Sequence, residues 1–408
     1  MTPDGATAPA VDAAGPAASL RGRLEKQSPS VPAIATVFWP LNRVFSLGAS
    51  LSGRTWSRIV LFLGLPVIFV FLVSWAEGTL VLAGDAVGLM EHYGFLLLFL
   101  VHPLLVLGLP LVIRRFSEAF SHADEIVDEP AVRQWRAEGE VVREVSATIA
   151  GVLQSRLSKA GRVLACLLGI IAVSYNALNT TTPTAVYHHD VWDSGSHVAG
   201  YWAARAYLAF TWGLLLPCGL YGLLLLSLAG GNLYRRLSTI HQGMAVALSH
   251  LGRATGSPVD HFSRAMGAVM LTILPLSLSA AGLLFVHGMA LPIVAGTMGW
   301  IAFACTVFFW PTWQTHRAIQ RKQRLLLRPL EARAATIDHD VLCSLANGNL
   351  PDERLSQTLE AVVAVHKRLE QTPTWPSLAA GVFQLILLVS PFFTQGVKQI
   401  IVLVAGCL

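Results

Sequence analysis

Between the apolar runs of this chain, lysine and arginine occupy only alternate hydrophilic segments, and no other feature constrains the fold as strongly. The first segment holds Arg21, Arg23, Lys26, Arg43, Arg54 and Arg58, whereas residues 77–93 hold none. Arg114, Arg115, Arg133, Arg136, Arg143, Arg156, Lys159 and Arg162 follow, and residues 179–202 again hold none. Arg235, Arg236, Arg253 and Arg264 precede a cation-free turn at His287, and a basic segment from Arg317 to Arg368 comes after it. The runs in between are 59–76, 94–113, 163–178, 206–230, 266–286, 291–310 and one within 377–408. Most approach the roughly 20 apolar residues that cross a bilayer as a helix. Positive charge stays on the cytoplasmic side of a membrane. The pattern therefore predicts an all-α, polytopic transmembrane bundle of about seven spans, with the N-terminus inside and the C-terminus outside.

Composition agrees. The chain is 54% hydrophobic and 13% charged over 408 residues, against roughly 25% charged in soluble domains. A net charge of +5 is explained by basic segments facing anionic headgroups, so the expected partners are the lipid bilayer and further copies of the chain, not nucleic acid. Five scattered cysteines without a CxxC pair indicate neither a disulfide framework nor a structural zinc site. No cofactor is expected.

Residues 1–35, rich in Ala, Pro and Gly, are expected to form a disordered tail. Residues 36–408 are expected to form one membrane domain, with a small cytoplasmic helical layer from about 114–160, 232–264 and 312–374. Residues 32–51, with Trp39 and Arg43, are placed in the membrane interface. Asn347, Gly348, Asn349 and Pro351 predict a break between two helices, and Asp352 an N-cap for the second.

The most chemically loaded stretch runs from Tyr187 to Trp202 and contains His188, His189, Asp190, Asp193 and His197. His188, His189 and His197 are the candidate metal ligands. Adjacent histidines on an extended strand point to opposite sides, which favours an outer, headgroup-level loop with Tyr187, Trp192, Tyr201 and Trp202 in an aromatic belt. Arg205 and Lys398 are expected to snorkel to an interface. His102, ahead of Pro103, is the ionisable group deep in a span. It is expected to bond the carbonyls that Pro103 and Pro110 leave without donors. Gln384 is expected to face the bundle, because an unpaired amide in hydrocarbon costs several kcal/mol. No span carries a mid-membrane carboxylate of the kind that drives carriers. The nucleophile elbow, HExxH and phosphate-cradling motifs are missing as well, so an enzyme is not expected.

Trp39-Pro40-Leu41-Asn42, Leu65-Pro66, Ala76-Glu77-Gly78, His102-Pro103-Leu104-Leu105, residues 193–202, Trp310-Pro311 and Ser390-Pro391-Phe392-Phe393 lie in the order found in a family of uncharacterised proteobacterial multi-pass membrane proteins. The chain resembles that family over most of residues 35–400. It departs where the family has a Gly-rich His-Pro-Asp segment and this chain has Leu251 to Phe262. The resemblance implies topology and a bacterial inner-membrane location, without an activity. The plan of seven spans with the N-terminus inside is also similar to the insect odorant and gustatory receptor channels, by topology alone. These features lead to a ligand- or ion-responsive, channel-like protein. The alternative is a scaffold or signalling protein that docks a cytoplasmic partner, and a membrane-embedded enzyme or secondary transporter comes last. A line of polar side chains along the spans favours the conduit, and a dry bundle favours the scaffold.

Overall fold

The computed structural model describes residues 34–45, 47, 57–58, 60–122, 147–178, 190–239, 258–287, 291–347, 353–370 and 386. Among them the fold is helical, and the sole β-type pairing is an isolated parallel bridge between Val87 and Val191. A turn of 3-10 helix at Thr36–Phe38 leads into α1 (Leu41–Phe45). The next helices are α2 (Leu65–Ala76), α3 (Tyr93–Ser121), α4 (Arg156–Leu178), α5 (Val198–Phe210) and α6 (Leu216–Thr239). A π-helical turn at Val60–Gly64 precedes α2, and another at Thr211–Leu215 joins α5 to α6. α7 (Pro258–His287), α8 (Leu291–Ala346) and α9 (Glu353–Glu370) complete the set. Helix thus occupies the first six predicted spans, while 377–408 lies outside the described residues apart from Ile386. Among the described residues, three helical stretches are long and apolar enough to cross a membrane: Tyr93–Ser121, Val198–Thr239 and Asp260–Ser279, with Val60–Ala76 a shorter apolar helix.

The outer faces of these helices are as apolar as the inner ones, and this is the physical signature of lipid. α3 buries Val101, Leu105, Leu109, Val112 and Phe116, yet it exposes Leu100, Leu104 and Leu111 on its other side. α2 exposes Ile68, Phe69, Leu72 and Trp75, and α4 exposes Val163, Leu164, Leu167, Leu168, Ile170 and Ile171. A helix of a soluble domain would carry polar residues there. Contiguous apolar patches of this kind need a covering phase.

The helices sort their charges to two ends. At one end, His122 after α3 stacks on His261 of α7 at 4.2 Å. There too, Tyr234 of α6 meets Phe262 at 5.0 Å. Arg114, Arg235, Arg236, Arg264 and Arg317 belong to this basic end. At the other end, the cation-free segments meet through the Val87–Val191 bridge, and Glu77, Asp85, Glu91, Asp190 and Asp193 gather there.

Residues 34–45 and 47 turn an apolar face inward and leave Thr36, Trp39 and Arg43 exposed. Ile34, Val37, Phe38, Leu41, Phe45 and Leu47 are buried in the main core with α3, α6 and α7. Gly222 of α6 makes room for this, because a Cβ there would overlap the Phe38 ring. Trp39 alone of the large apolar residues in this segment is exposed.

The break expected at 347–351 is present: α8 stops at Ala346 and α9 starts at Glu353, with Asp352 outside the described residues. α9 folds back along α8, and Gln323 Nε2 donates to the Leu369 carbonyl at 2.9 Å.

Candidate functional site: a buried ion pair beneath a polar cap

At the acidic end, the loop after residue 189 is drawn into the protein. Val87 N–H donates to the Asp190 carbonyl at 2.8 Å, and Trp192 N–H donates to the Val87 carbonyl at 3.0 Å. This seats Trp192 in a second core with Val70, Leu89, Phe95 and Tyr207. Trp192 is fully buried, its ring edge-on to Phe95 at 5.1 Å, and its indole N–H donates to His92 Nδ1 at 2.9 Å. The aromatic-belt assignment is therefore corrected for Trp192 and for Tyr201, which is also buried. Trp202 is exposed as a belt residue should be, and Tyr187 lies outside the described residues. Indole needs one acceptor when buried, and here a histidine from a sequence-distant loop supplies it.

Two acids then organise the start of α5. Glu77, just past α2, accepts from the backbone N–H groups of Ala199 at 3.0 Å and Gly200 at 2.6 Å. Those are orphan donors of a helix N-terminus, and a carboxylate also suits the positive end of its dipole. Gly200 permits the approach: a Cβ there would collide with the Trp192 carbonyl and sit 3.1 Å from Glu77 Oε2. Asp190 Oδ1 accepts from Ser194 Oγ at 2.6 Å, Ser196 Oγ at 2.7 Å and its neighbour's N–H (Val191) at 3.0 Å. His197 Nε2 lies 3.3 Å from Asp190 Oδ2 without forming an aligned hydrogen bond. The two serine hydroxyls, ahead of His197, hold the Asp190 carboxyl below its usual range.

Beneath this cap lies the pair that departs most from the sequence reading. Arg205 does not snorkel outward. Its side chain is 5% exposed and donates from Nη1 to Asp193 Oδ2 at 3.3 Å, with Asp193 4% exposed. The guanidinium also sits 4.7 Å over the Tyr201 ring. Asp193 Oδ1 and Arg205 Nε and Nη2 find no hydrogen-bond partner among the described residues. Burial pushes the Asp193 carboxyl up, against the pull of Arg205. Two residues after Arg205 on α5, the Tyr207 hydroxyl instead meets the deep histidine of α3.

His102 is fully buried, with Nδ1 2.9 Å from the Tyr207 hydroxyl. The same hydroxyl lies 3.2 Å from the Leu98 carbonyl, to which it donates. Its partner is thus a side chain of another helix, and not the carbonyls freed by Pro103 and Pro110. His102 Nε2 has no partner among the described residues. His197 caps the loop, while His188, His189 and Gln384 lie outside the described residues. Among those described, no three of His, Cys, Asp and Glu converge as a metal site would require.

Sequence reasoning missed Glu77, Asp193–Arg205 and the indole–His92 bond. One signal was present: five acids in cation-free segments with a single arginine, Arg205, one span-turn away from them. Glu77 ties the segment after α2 to the start of α5, Arg205 ties α5 back to the loop at Asp193, and Asp190 binds Ser194 and Ser196 within that loop. No family model matches this chain, and neither a curated protein nor a solved structure matches it.

Proposed function

We propose that this is a non-enzymatic, multi-pass protein of a bacterial inner membrane that holds a helical arm in the cytoplasm for a partner. This is the scaffold or signalling reading, and it displaces the channel-like one. The observation that carries it is α8, a single helix of 56 residues, about 84 Å long at 1.5 Å per residue. It starts as the apolar run 291–310 and continues without interruption as a basic helix, against which α9 folds back. Crossing a bilayer takes about 20 residues, so more than half of α8 stands clear of the hydrocarbon. Toward its tip it exposes Leu342 and Leu345, and α9 exposes Val363 and Val365.

The side chains of the spans support the same choice. Thr211, Thr272 and Ser277 turn their hydroxyls to the carbonyl four residues earlier in their own helices. Such groups are satisfied within the helix and do not line a wet path. The gathering of basic residues at one end supports seven spans with the N-terminus inside and the C-terminus outside, because that end then faces the cytoplasm. The apolar outer faces of α2 and α4 suit lipid or a second copy, and a homo-oligomer follows from the latter. Recording from purified protein in planar bilayers tests the choice. The expected result is no unitary current. Current that Gln384→Leu alters would restore the channel reading.

A further inference from the structure

The basic end contains a cavity that the scaffold reading does not use. It measures about 400 Å³ and lies between the last turn of α6 and the middle of α8. Arg235, Ser238 and Thr239 line it from α6, and Trp310, Trp313, Gln314, Arg317 and Arg321 from α8. The spacings 235/238/239 and 310/313/314/317/321 each define one helical face, so two faces look at each other across the space. The helices touch beside it, where a Cβ on Gly231 would lie 3.1 Å from Pro311 Cα.

Three guanidinium groups in one cavity repel one another unless an anion joins them. Arg321 Nη1 donates to Ser238 Oγ at 3.2 Å, a neutral partner that Ser238 in turn ties to the Arg235 carbonyl at 2.7 Å. Arg317 lies 5.0 Å over the Trp313 ring. Among the described residues, none of the three arginines is in an ion pair with a carboxylate. The volume falls in the range of small-ligand sites. Trp310 and Trp313 are partly exposed at its rim, 40% and 41%, as indoles are at headgroup level.

We propose that this cavity binds a phosphate ester, held by Arg235, Arg317 and Arg321 with the two indoles packed against its carbon portion. Guanidinium groups match phosphate oxygens in bidentate geometry, and basic pockets between membrane helices suit anionic headgroups. The same phosphate chemistry can come from an anionic phospholipid or from a soluble phosphate ester. The proposal does not depend on the arm having a partner.

The test uses the full-length protein in nanodiscs or neutral detergent. Native mass spectrometry follows retained phosphatidylglycerol and cardiolipin against phosphatidylcholine, and calorimetry follows glycerol phosphate in the absence of anionic lipid. Arg235→Gln/Arg317→Gln/Arg321→Gln is compared with Arg324→Gln/Arg328→Gln, which removes two exposed arginines of the same helix outside the cavity. Wild type retaining anionic lipid, with affinity at least about tenfold weaker in the cavity variant and unchanged in the control, supports the lipid source. Glycerol phosphate binding with the same dependence supports the soluble source. Equal losses in both variants, or no preference over phosphatidylcholine and no glycerol phosphate binding, overturn the proposal. Should the triple variant misfold, Arg235→Gln alone is read, because its exposed side chain makes no contact that holds the helices together.

Discussion

Removing the Asp193 carboxylate has a cost that can be worked out from its surroundings. In Asp193→Ala the Arg205 guanidinium stays buried, with only the Tyr201 ring at 4.7 Å to favour its charge. Breaking a buried pair by deleting one partner costs about 3–5 kcal/mol. A cation–π contact returns roughly 0.5–2 kcal/mol, but it is already present in the intact protein and softens nothing new. A loss near 3–4 kcal/mol is therefore expected. Arg205→Met should cost less. The stranded carboxyl can take up a proton, and burial already pushes it up, whereas a guanidinium cannot shed its charge. That difference should widen as pH falls. Asp193→Leu/Arg205→Met removes both charges and should lie within about 1 kcal/mol of wild type, since apolar replacements of buried pairs are often neutral or better. Unfolding in a detergent titration, read as a double-mutant cycle, measures all three. Additive single and double effects, or a loss under about 1 kcal/mol for Asp193→Ala, would mean that water reaches the pair and that the cap is not closed.

Other consequences follow from the same cap. The Asp190 carboxyl is held low by Ser194 and Ser196, so its contribution is complete above the unfolded value of roughly 3.9 and is lost as pH falls toward the folded value. Midpoints measured from pH 6 to pH 3 should drop more steeply for wild type than for Asp190→Asn, and parallel curves would refute the latch. Gly200→Ala should destabilise by about 1–3 kcal/mol, because its Cβ meets the Trp192 carbonyl and Glu77, and Trp192 fluorescence should shift red as the indole loosens. An unchanged spectrum would remove Glu77 from its capping role. Tyr207→Phe deletes the partner of His102 Nδ1 and should cost about 1–3 kcal/mol, with His102→Phe/Tyr207→Phe recovering part of the loss. No recovery would show that the two side chains are not coupled.

Much of the helical order was legible because lipid makes single residues decisive. A lysine or arginine in hydrocarbon is costly enough that the cations mark where apolar runs stop, and helix covers the first six of those runs, although the helices continue past the cations, α8 as far as Ala346. The break before α9 was legible for a similarly local reason, since glycine and proline act on the backbone next to them. The cap was not legible. Glu77 and Gly200 are 123 residues apart, and nothing in either segment names the other. Arg205 looked like an interfacial residue because only the fold shows that Asp193 is turned inward to meet it. Trp192 misled for the same reason: an indole that serves an aromatic belt and one that anchors a buried core have the same local composition. Residues 34–45 read as interfacial from Trp39 and Arg43, and nothing local showed that Gly222 of α6 makes room for Phe38.

In the proposed topology the basic end and its helical arm face the cytoplasm. Cys343 on the exposed tip of α8 is a native reporter of that end, and Asp85 is an exposed position at the other. A membrane-impermeant maleimide applied to intact spheroplasts of cells producing Asp85→Cys protein tests both together. Asp85→Cys is expected to label before lysis and Cys343 only after it. Labelling of Cys343 in intact spheroplasts would place the arm outside and refute the proposed topology.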